Sequence, residues 1–545
     1  MKRKTIITTH WFFGIAGCLL CALLFVSCSD FLDTDLKDRQ STETSYSTVE
    51  DLDQALIGVY GCLRPLSVYY WQMSECRSDN VCVSSTRVRP AAVVAHFESS
   101  SLLENSIVLN CWNDYFKMTA TANKFLDEIE QVDFTGYNNK MSSVGWTSSK
   151  LKAHYTAEVR FLRALAFFDL VRFFGRVPAP THAISVEDGF NLPQSEPLDV
   201  YHRIIIPDLQ YAINHLEYTP YNYAAKAHPE RVTKPAAQAL LARVYLTLSG
   251  FPYYESLQTE AAALLKTVID YSAANADKWW APTMVEWNRQ WVHENDNKYP
   301  IFEIQYAMTQ GMGNPMTPYT SQTIQPYTDW CKKGFLVGDV SMTTPEDLIK
   351  HFTTEPETDD MGTTYTDQRG PFTFHGAALN ENGEYEEGTE GKSFNIKFIE
   401  SIKKRADLGL GTIDNQMVDR TCWPQDFPLI RFEDVLLMYA ELVGPTADGY
   451  AALNRIRQRA GLPALSGLTT DEFQQAVRRE RQYELAGEGQ RWHDLVRWDI
   501  YVPTMQKIYQ GTPYAAFVKR ESYLYPIPWT QIKVREGLYT QNPGY

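Results

Sequence analysis

The chain has 545 residues, 44% hydrophobic and 13% aromatic, and its 66 acidic against 51 basic side chains give a formal charge of −15. Nucleic acid and anionic lipid headgroups are thereby disfavoured as ligands, because phosphate binding needs concentrated Lys and Arg; a neutral or cationic ligand fits the balance better. The length exceeds the usual range of one domain, yet no Pro-, Gly- or Ser-rich linker and no low-complexity tract divides it, so one large unit is expected.

At the start, Lys2, Arg3 and Lys4 precede an apolar run from about Trp11 to Val26, followed by Ser27 and Cys28. A basic start, a short apolar stretch and a small residue before the cut are features of an export signal. A small residue directly before cysteine resembles the bacterial lipobox, which implies cleavage after Ser27 and acylation of Cys28. The run is shorter than the roughly 20 residues of a spanning helix and contains Gly14 and Gly17. Residues 1–27 are read as a lipoprotein signal peptide and residues 28–545 as a single domain. Losing three basic side chains with the signal moves the formal charge from −15 to −18. Asp33, Asp35 and Asp38 read as a solvated tether rather than a calcium site.

Helical periodicity then predicts a mainly α chain. Residues 47–63 form a first helix with Leu52, Leu56, Val59 and Leu63 on one side. Residues 110–131 form a second, striped by Trp112, Tyr115, Phe116, Ala120, Asn123 and Leu126. Residues 150–174 form a third, striped by Phe161, Leu165, Phe168 and Phe173 and stopped by Gly175 and Pro178. Thr233-Lys234-Pro235 starts a helix to about Leu248, and a partner follows from Ser256 to Tyr271. Pairs near residues 110–174 and 200–271 have the size of tetratricopeptide-like units, although no segment carries that full consensus. Trp287 and Trp291, four apart, are read as core, as is Trp112. Tyr299 to Tyr306 alternates as a strand does.

Residues 307–430 differ: they are rich in Gly, Pro, Thr, Asn and Asp and only weakly periodic. So long an irregular region in a compact domain is usually functional or partly disordered, and function is the reading favoured here. Helices return at Arg431–Val443, Ala447–Ala460 and Asp471–Leu485. Cys18 and Cys21 leave with the signal, and Cys62, Cys76, Cys82, Cys111, Cys331 and Cys422 remain as candidates. Their spacings match no zinc pattern. Most are expected to be buried free thiols, with one bridge among the first four as the alternative.

Several segments together resemble the SusD/RagB family of outer-membrane lipoproteins. They are Cys28-Ser-Asp-Phe-Leu-Asp33, Glu75-Cys-Arg-Ser-Asp-Asn80, the run from Glu158 to Gly175, Ala239 to Leu246, Arg431 to Glu441, Leu453 to Gly461, Glu480 to Leu495 and Gln541-Asn-Pro-Gly-Tyr545. The resemblance implies four tetratricopeptide-like helix pairs as a scaffold, here about residues 40–306 and 431–545, and a loop-rich ligand-binding region at about 307–430. It further implies a noncatalytic, lipid-anchored protein exposed at the cell surface. Such a protein captures oligosaccharides and delivers them to a SusC-like TonB-dependent transporter in the outer membrane. No cofactor is implied, and calcium is not assignable.

Two patches are candidates for glycan contact, since aromatic faces stack on sugar rings while amides and carboxylates bond to hydroxyls. One comprises Tyr319, Tyr327 and Trp330, beside prolines or an acid in the irregular region. The other comprises Tyr69, Tyr70 and Trp71 with Arg77, Asp79 and Asn80, although Arg77 and Asp79 are equally readable as a buried structural pair. Glu480, Glu484, Glu488, His493 and Asp494 resemble a catalytic cluster but are read as scaffold, with Arg481, Arg491 and Arg497 as neutralising partners. Gly388-Thr-Glu-Gly-Lys-Ser393 lacks the first glycine of a phosphate loop, because position 386 is Glu386. No zinc protease or serine hydrolase motif occurs. The alternatives are a glycoside hydrolase, which needs two carboxylates roughly 5–9.5 Å apart across a cleft, or a peptide-binding adaptor using the concave face of the repeats.

Overall fold

Helix α1, Val49–Gly61, begins with a reciprocal cap: the Asp51 amide donates to the Thr48 hydroxyl and the Thr48 amide to the Asp51 carboxylate. Its expected stripe of Leu52, Leu56 and Val59 is buried. The chain runs almost directly into α2, Leu63–Ser74, which periodicity does not reveal because nine of its twelve residues are buried and no single stripe stands out. The computed structural model describes residues 46–83, 89–137, 145–219, 222–223, 226–227, 231–292, 298–307, 312–315, 342–359, 361–377, 393–398, 402–410 and 425–545. Residues Thr48–Tyr545 make one contact unit.

The scaffold is a succession of helices, each packed on the next. Helix α3, Ser106–Glu128, starts at Asn105, whose side chain accepts the amides of Ile107 and Val108. It packs on α4, Ser148–Phe174, which ends at Gly175 with φ +66°. A Cβ there would lie 2.8 Å from Leu524 Cδ1, so glycine meets both a left-handed turn and a close approach. Helix α4 packs on α5, Ile206–His215, α5 on α6, Lys234–Ser249, and α6 on α7, Gln258–Ala274. The expected start of α6 is found, with Pro235 in its first turn, but Thr233 makes no capping hydrogen bond. Helix α7 then meets α8, Phe432–Val443, around which α9, Ala447–Arg459, and α10, Thr470–Glu484, gather. This is the tetratricopeptide-like arrangement of helix pairs.

The strand expected near Tyr299 is β1, Pro300–Ile304. It pairs antiparallel with β2, Phe427–Arg431, placing Phe427 opposite Ile304 and Arg431 opposite Pro300. The irregular region therefore leaves and re-enters the scaffold through one strand pair. Its described parts carry small elements of their own: a helix at Glu346–Phe352, a two-residue strand pair joining Glu357–Thr358 to Thr364–Tyr365, and another joining Phe374–His375 to Phe394–Asn395. Leu348, Phe352, Phe374 and Ala377 pack together on Ala486, just beyond α10. These described parts are thus seated on the C-terminal helices.

After α10 come α11, Arg491–Arg497, and α12, Tyr501–Ile508, whose Trp492, Leu495, Tyr501 and Met505 share a core with Phe97 and Phe251. Trp287, Trp291 and Trp112 are buried as expected. Cys62, Cys76, Cys82 and Cys111 are free thiols; Cys331 and Cys422 lie outside the described residues.

Candidate functional site

The most charged segment is the scaffold's ionic centre. Glu484 is fully buried, and its carboxylate meets Arg369 at 3.1 Å, Arg431 at 3.1 Å and Arg459 at 2.8 Å. Glu480 meets Arg369 at 2.6 Å, and Glu488 meets Arg431 at 2.8 Å and Lys397 at 2.9 Å. Burial alone would raise the Glu484 carboxyl; Arg459, Arg431 and Arg369 outweigh it and hold the group well below the usual carboxylate range. A group so held is a poor general acid.

The neutralising partners differ from those expected. Arg481 serves Asp434 and Asp494, Arg491 serves Asp79 at 2.7 Å, and Arg497 serves Glu441 and Asp494. The cations that answer Glu480, Glu484 and Glu488 come instead from Arg369, Lys397, Arg431, Arg457 and Arg459, which the fold imports from the irregular region, β2 and α9. Arg481 and Arg497 are buried too, but they are already occupied by Asp434, Asp494 and Glu441.

The patch around Trp71 requires a correction, because it has no face for a ligand. Tyr70, Trp71, Arg77, Asp79 and Asn80 are all buried. The Tyr70 hydroxyl donates to the Gly489 carbonyl at 3.0 Å and the Trp71 indole to the Gly487 carbonyl at 2.8 Å. Glu75 accepts the amides of Gly487 and Gly489, and Asn80 donates to Glu75. Arg77 lies 4.2 Å from the centroids of Phe97 and Tyr525 and donates to the Ser522 carbonyl. The segments Glu75–Asn80 and 487–491 are one joint, in which the neighbouring aromatics and most polar groups are already spent on protein partners. Tyr319, Tyr327, Trp330 and Cys28 lie outside the described residues.

An open cleft of about 470 Å³ is found elsewhere, where the chain leaving α7 passes the start of α6 and the start of β1. Among its lining are Tyr218, Thr233, Lys278, Trp279, Glu286 and Lys298. Tyr218 stacks on Tyr271 with centroids 4.3 Å apart, and Tyr271 lies 5.8 Å from Trp279, so the rings form a row. The Lys278 ammonium stands 5.1 Å over the Trp279 ring and the Lys298 ammonium 5.2 Å over the Tyr299 ring. Burial lowers the pKa of Lys278. Glu286 accepts the hydroxyls of Thr283 at 3.1 Å and Tyr299 at 3.3 Å, and Asp277 pairs with Arg455 at 3.1 Å.

The backbone of this cleft is unusual. Ala276, Asp277 and Trp279 have φ of 55°, 55° and 70°, a left-handed conformation that non-glycine residues adopt at a cost of order 1–3 kcal/mol each and that clusters at binding sites. The Thr233 hydroxyl is buried without a hydrogen-bond partner. Sequence reasoning did not single out these residues. The available signal was the doubled Trp279-Trp280 a few residues beyond the end of α7, both indoles of which the fold buries.

Among the described residues no group of three or more His, Cys, Asp or Glu is placed to hold a metal ion, and no helix is long and apolar enough to cross a membrane. Residues 30–246 match the family model described as starch-binding associating with outer membrane, and residues 413–545 match the model of the SusD family. SusD-like protein P25 of Formosa agariphila is 25% identical, covering 95% of this chain and 97% of the relative. A SusD homolog of Bacteroides thetaiotaomicron superposes with a TM-score of 0.72 at 22% identity, covering 93% and 99% of the two chains. A laminarin-binding SusD-like protein superposes with a TM-score of 0.68 at 23% identity, covering 92% and 100%.

Proposed function

Since the chain belongs to the SusD/RagB family, we propose that it is a noncatalytic, lipid-anchored protein of the cell surface that captures oligosaccharides and hands them to a SusC-like TonB-dependent transporter. The observation that carries this reading is the architecture: a rigid helical scaffold from which one long irregular region departs and returns through the β1–β2 pair. Such a region on such a scaffold suits a ligand site. The laminarin-binding relative supports a carbohydrate as the ligand class. Tyr319, Tyr327 and Trp330 remain the proposed stacking groups of that region, and Cys28 the proposed anchor.

A glycan array on the mature chain, residues 28–545, tests the reading. Binding that survives all three changes Tyr319→Ala, Tyr327→Ala and Trp330→Ala would refute the site assignment. Oligosaccharide shortening that a single carboxylate substitution abolishes would establish the hydrolase alternative instead. A Cys28→Ala protein that stays at the surface without the transporter would count against the anchor.

A further inference from the structure

We propose that the cleft beside Trp279 receives the anionic group of an acidic saccharide, a uronate carboxylate or a sulfate ester, as a binding site lined by residues outside the irregular region. The proposal rests on the glycan-binding reading and narrows its ligand class.

The charges of the cleft are unequally committed. Its acids already have partners: Asp277 is paired with Arg455, and Glu286 accepts two hydroxyls. Its ammoniums do not. Among the described residues Lys278 and Lys298 meet ring faces and no carboxylate. Partial burial of Lys278 without a counter-charge disfavours its charged form, so an anion arriving there regains what desolvation removed.

Neutral donors belong to the same lining residues. The amides of Ala276, Asp277 and Trp279 donate to no backbone acceptor among the described residues, and turns that gather N–H groups in this way form anion-binding concavities. Thr233, whose hydroxyl is buried and unpartnered, lines the cleft from the start of α6. The half-buried Tyr218 at the end of the ring row supplies apolar surface for the sugar body beside the charge. A volume of about 470 Å³ lies in the range of about 300–1,000 Å³ typical of small-molecule sites. The overall charge of −15 does not oppose this at contact, because screening confines exposed charges to about 8 Å at physiological salt.

The test is calorimetric titration of the mature chain with an oligogalacturonate and with a sulfated galactan oligosaccharide. Each is compared with its neutral counterpart, methyl-esterified or desulfated. The expected result is that at least one acidic ligand binds about tenfold or more tightly than its neutral counterpart, weakens with added salt, and falls to the neutral level in the Lys278→Gln/Lys298→Gln double variant. Because both lysines are at least partly exposed, the thermal midpoint of that variant should match the parent. Preference for the uronate or for the sulfate identifies the source of the anion. Equal affinity for charged and neutral ligands, no binding of either acidic ligand, or affinity unchanged in the double variant overturns the proposal. If neutral glycans bind on an array while acidic ones show no preference, this site assignment fails and the general reading stands; absence of binding to every glycan defeats both.

Discussion

The Trp287 indole donates a hydrogen bond to Glu484 across 2.7 Å, bridging 197 positions of sequence, and the oxygen that receives it also faces Arg431 and Arg459. One carboxylate thus joins the segment before β1, β2, α9 and α10. Glu484→Gln keeps an acceptor for the indole but leaves three buried guanidiniums short of a counter-charge. Breaking a buried pair in this way costs about 3–5 kcal/mol. Urea unfolding should show that loss with α-helical circular dichroism retained in the absence of denaturant.

Trp71 predicts a separation of stability from binding. Trp71→Ala empties a fully enclosed volume and orphans the Gly487 carbonyl, for about 3–5 kcal/mol. Tyr327→Ala and Trp330→Ala should each lower glycan affinity by about 2–10-fold, the worth of one aromatic contact, with an unchanged thermal midpoint. Differential scanning calorimetry beside titration calorimetry reads both.

Two aspartates give stability opposite pH dependences. Burial would raise the Asp434 carboxyl, but Arg243 at 2.6 Å and Arg481 at 2.8 Å hold it at about 2. The folded value lies below that of the unfolded chain, so this stabilisation is complete above about pH 4 and is lost as pH falls through 2. Burial pushes Asp426 up to about 7, against the Tyr306 amide that donates to it at 2.8 Å. That contribution is full below about pH 4 and disappears as pH rises through 7. Asp426→Asn should therefore remove a decline on the order of 3 kcal/mol between pH 4 and 7 and leave the acid limb intact. Chemical denaturation across pH 2–8 checks it.

Gly489 should not tolerate a side chain. Its φ is +74°, and an added Cβ would lie 2.7 Å from a Tyr70 ring carbon and 2.9 Å from Ser74 Oγ. Gly489→Ala should cost more than about 1 kcal/mol in equilibrium unfolding. Gly467→Ala, with φ +66° but nothing within 4 Å, should cost only the backbone part.

Local order was the legible part of the sequence. The stripe of Leu52, Leu56 and Val59, the terminating Gly175 and the Thr233-Lys234-Pro235 start each act within a few residues, and each marks a helix found nearly in place. Helix α2 was invisible because burial on all sides erases periodicity. The partners of Glu484 were misassigned for another reason: Arg369 comes from 115 positions away, and no local rule ranks such a cation above Arg481 next door. Tyr70 and Trp71 read equally well as a platform or a joint, since residue type does not say which way a ring faces. The Trp279 cleft escaped notice because its walls come from stretches near 218, 233, 278 and 298, none of which carries a motif.

The joint between Glu75–Asn80 and 487–491 also sets an order of events. Helix α2 finds the acceptors of Tyr70 and Trp71 only 419 and 416 positions later, at Gly489 and Gly487. Contacts so distant along the chain are slow to form, because the intervening loop must be closed before they repay its entropy. A chain emerging from its N-terminus holds α2 with its indole and phenol unanswered until nearly nine-tenths of the polypeptide has appeared. The helix pairs between can assemble in the meantime, and the last segment then locks the first.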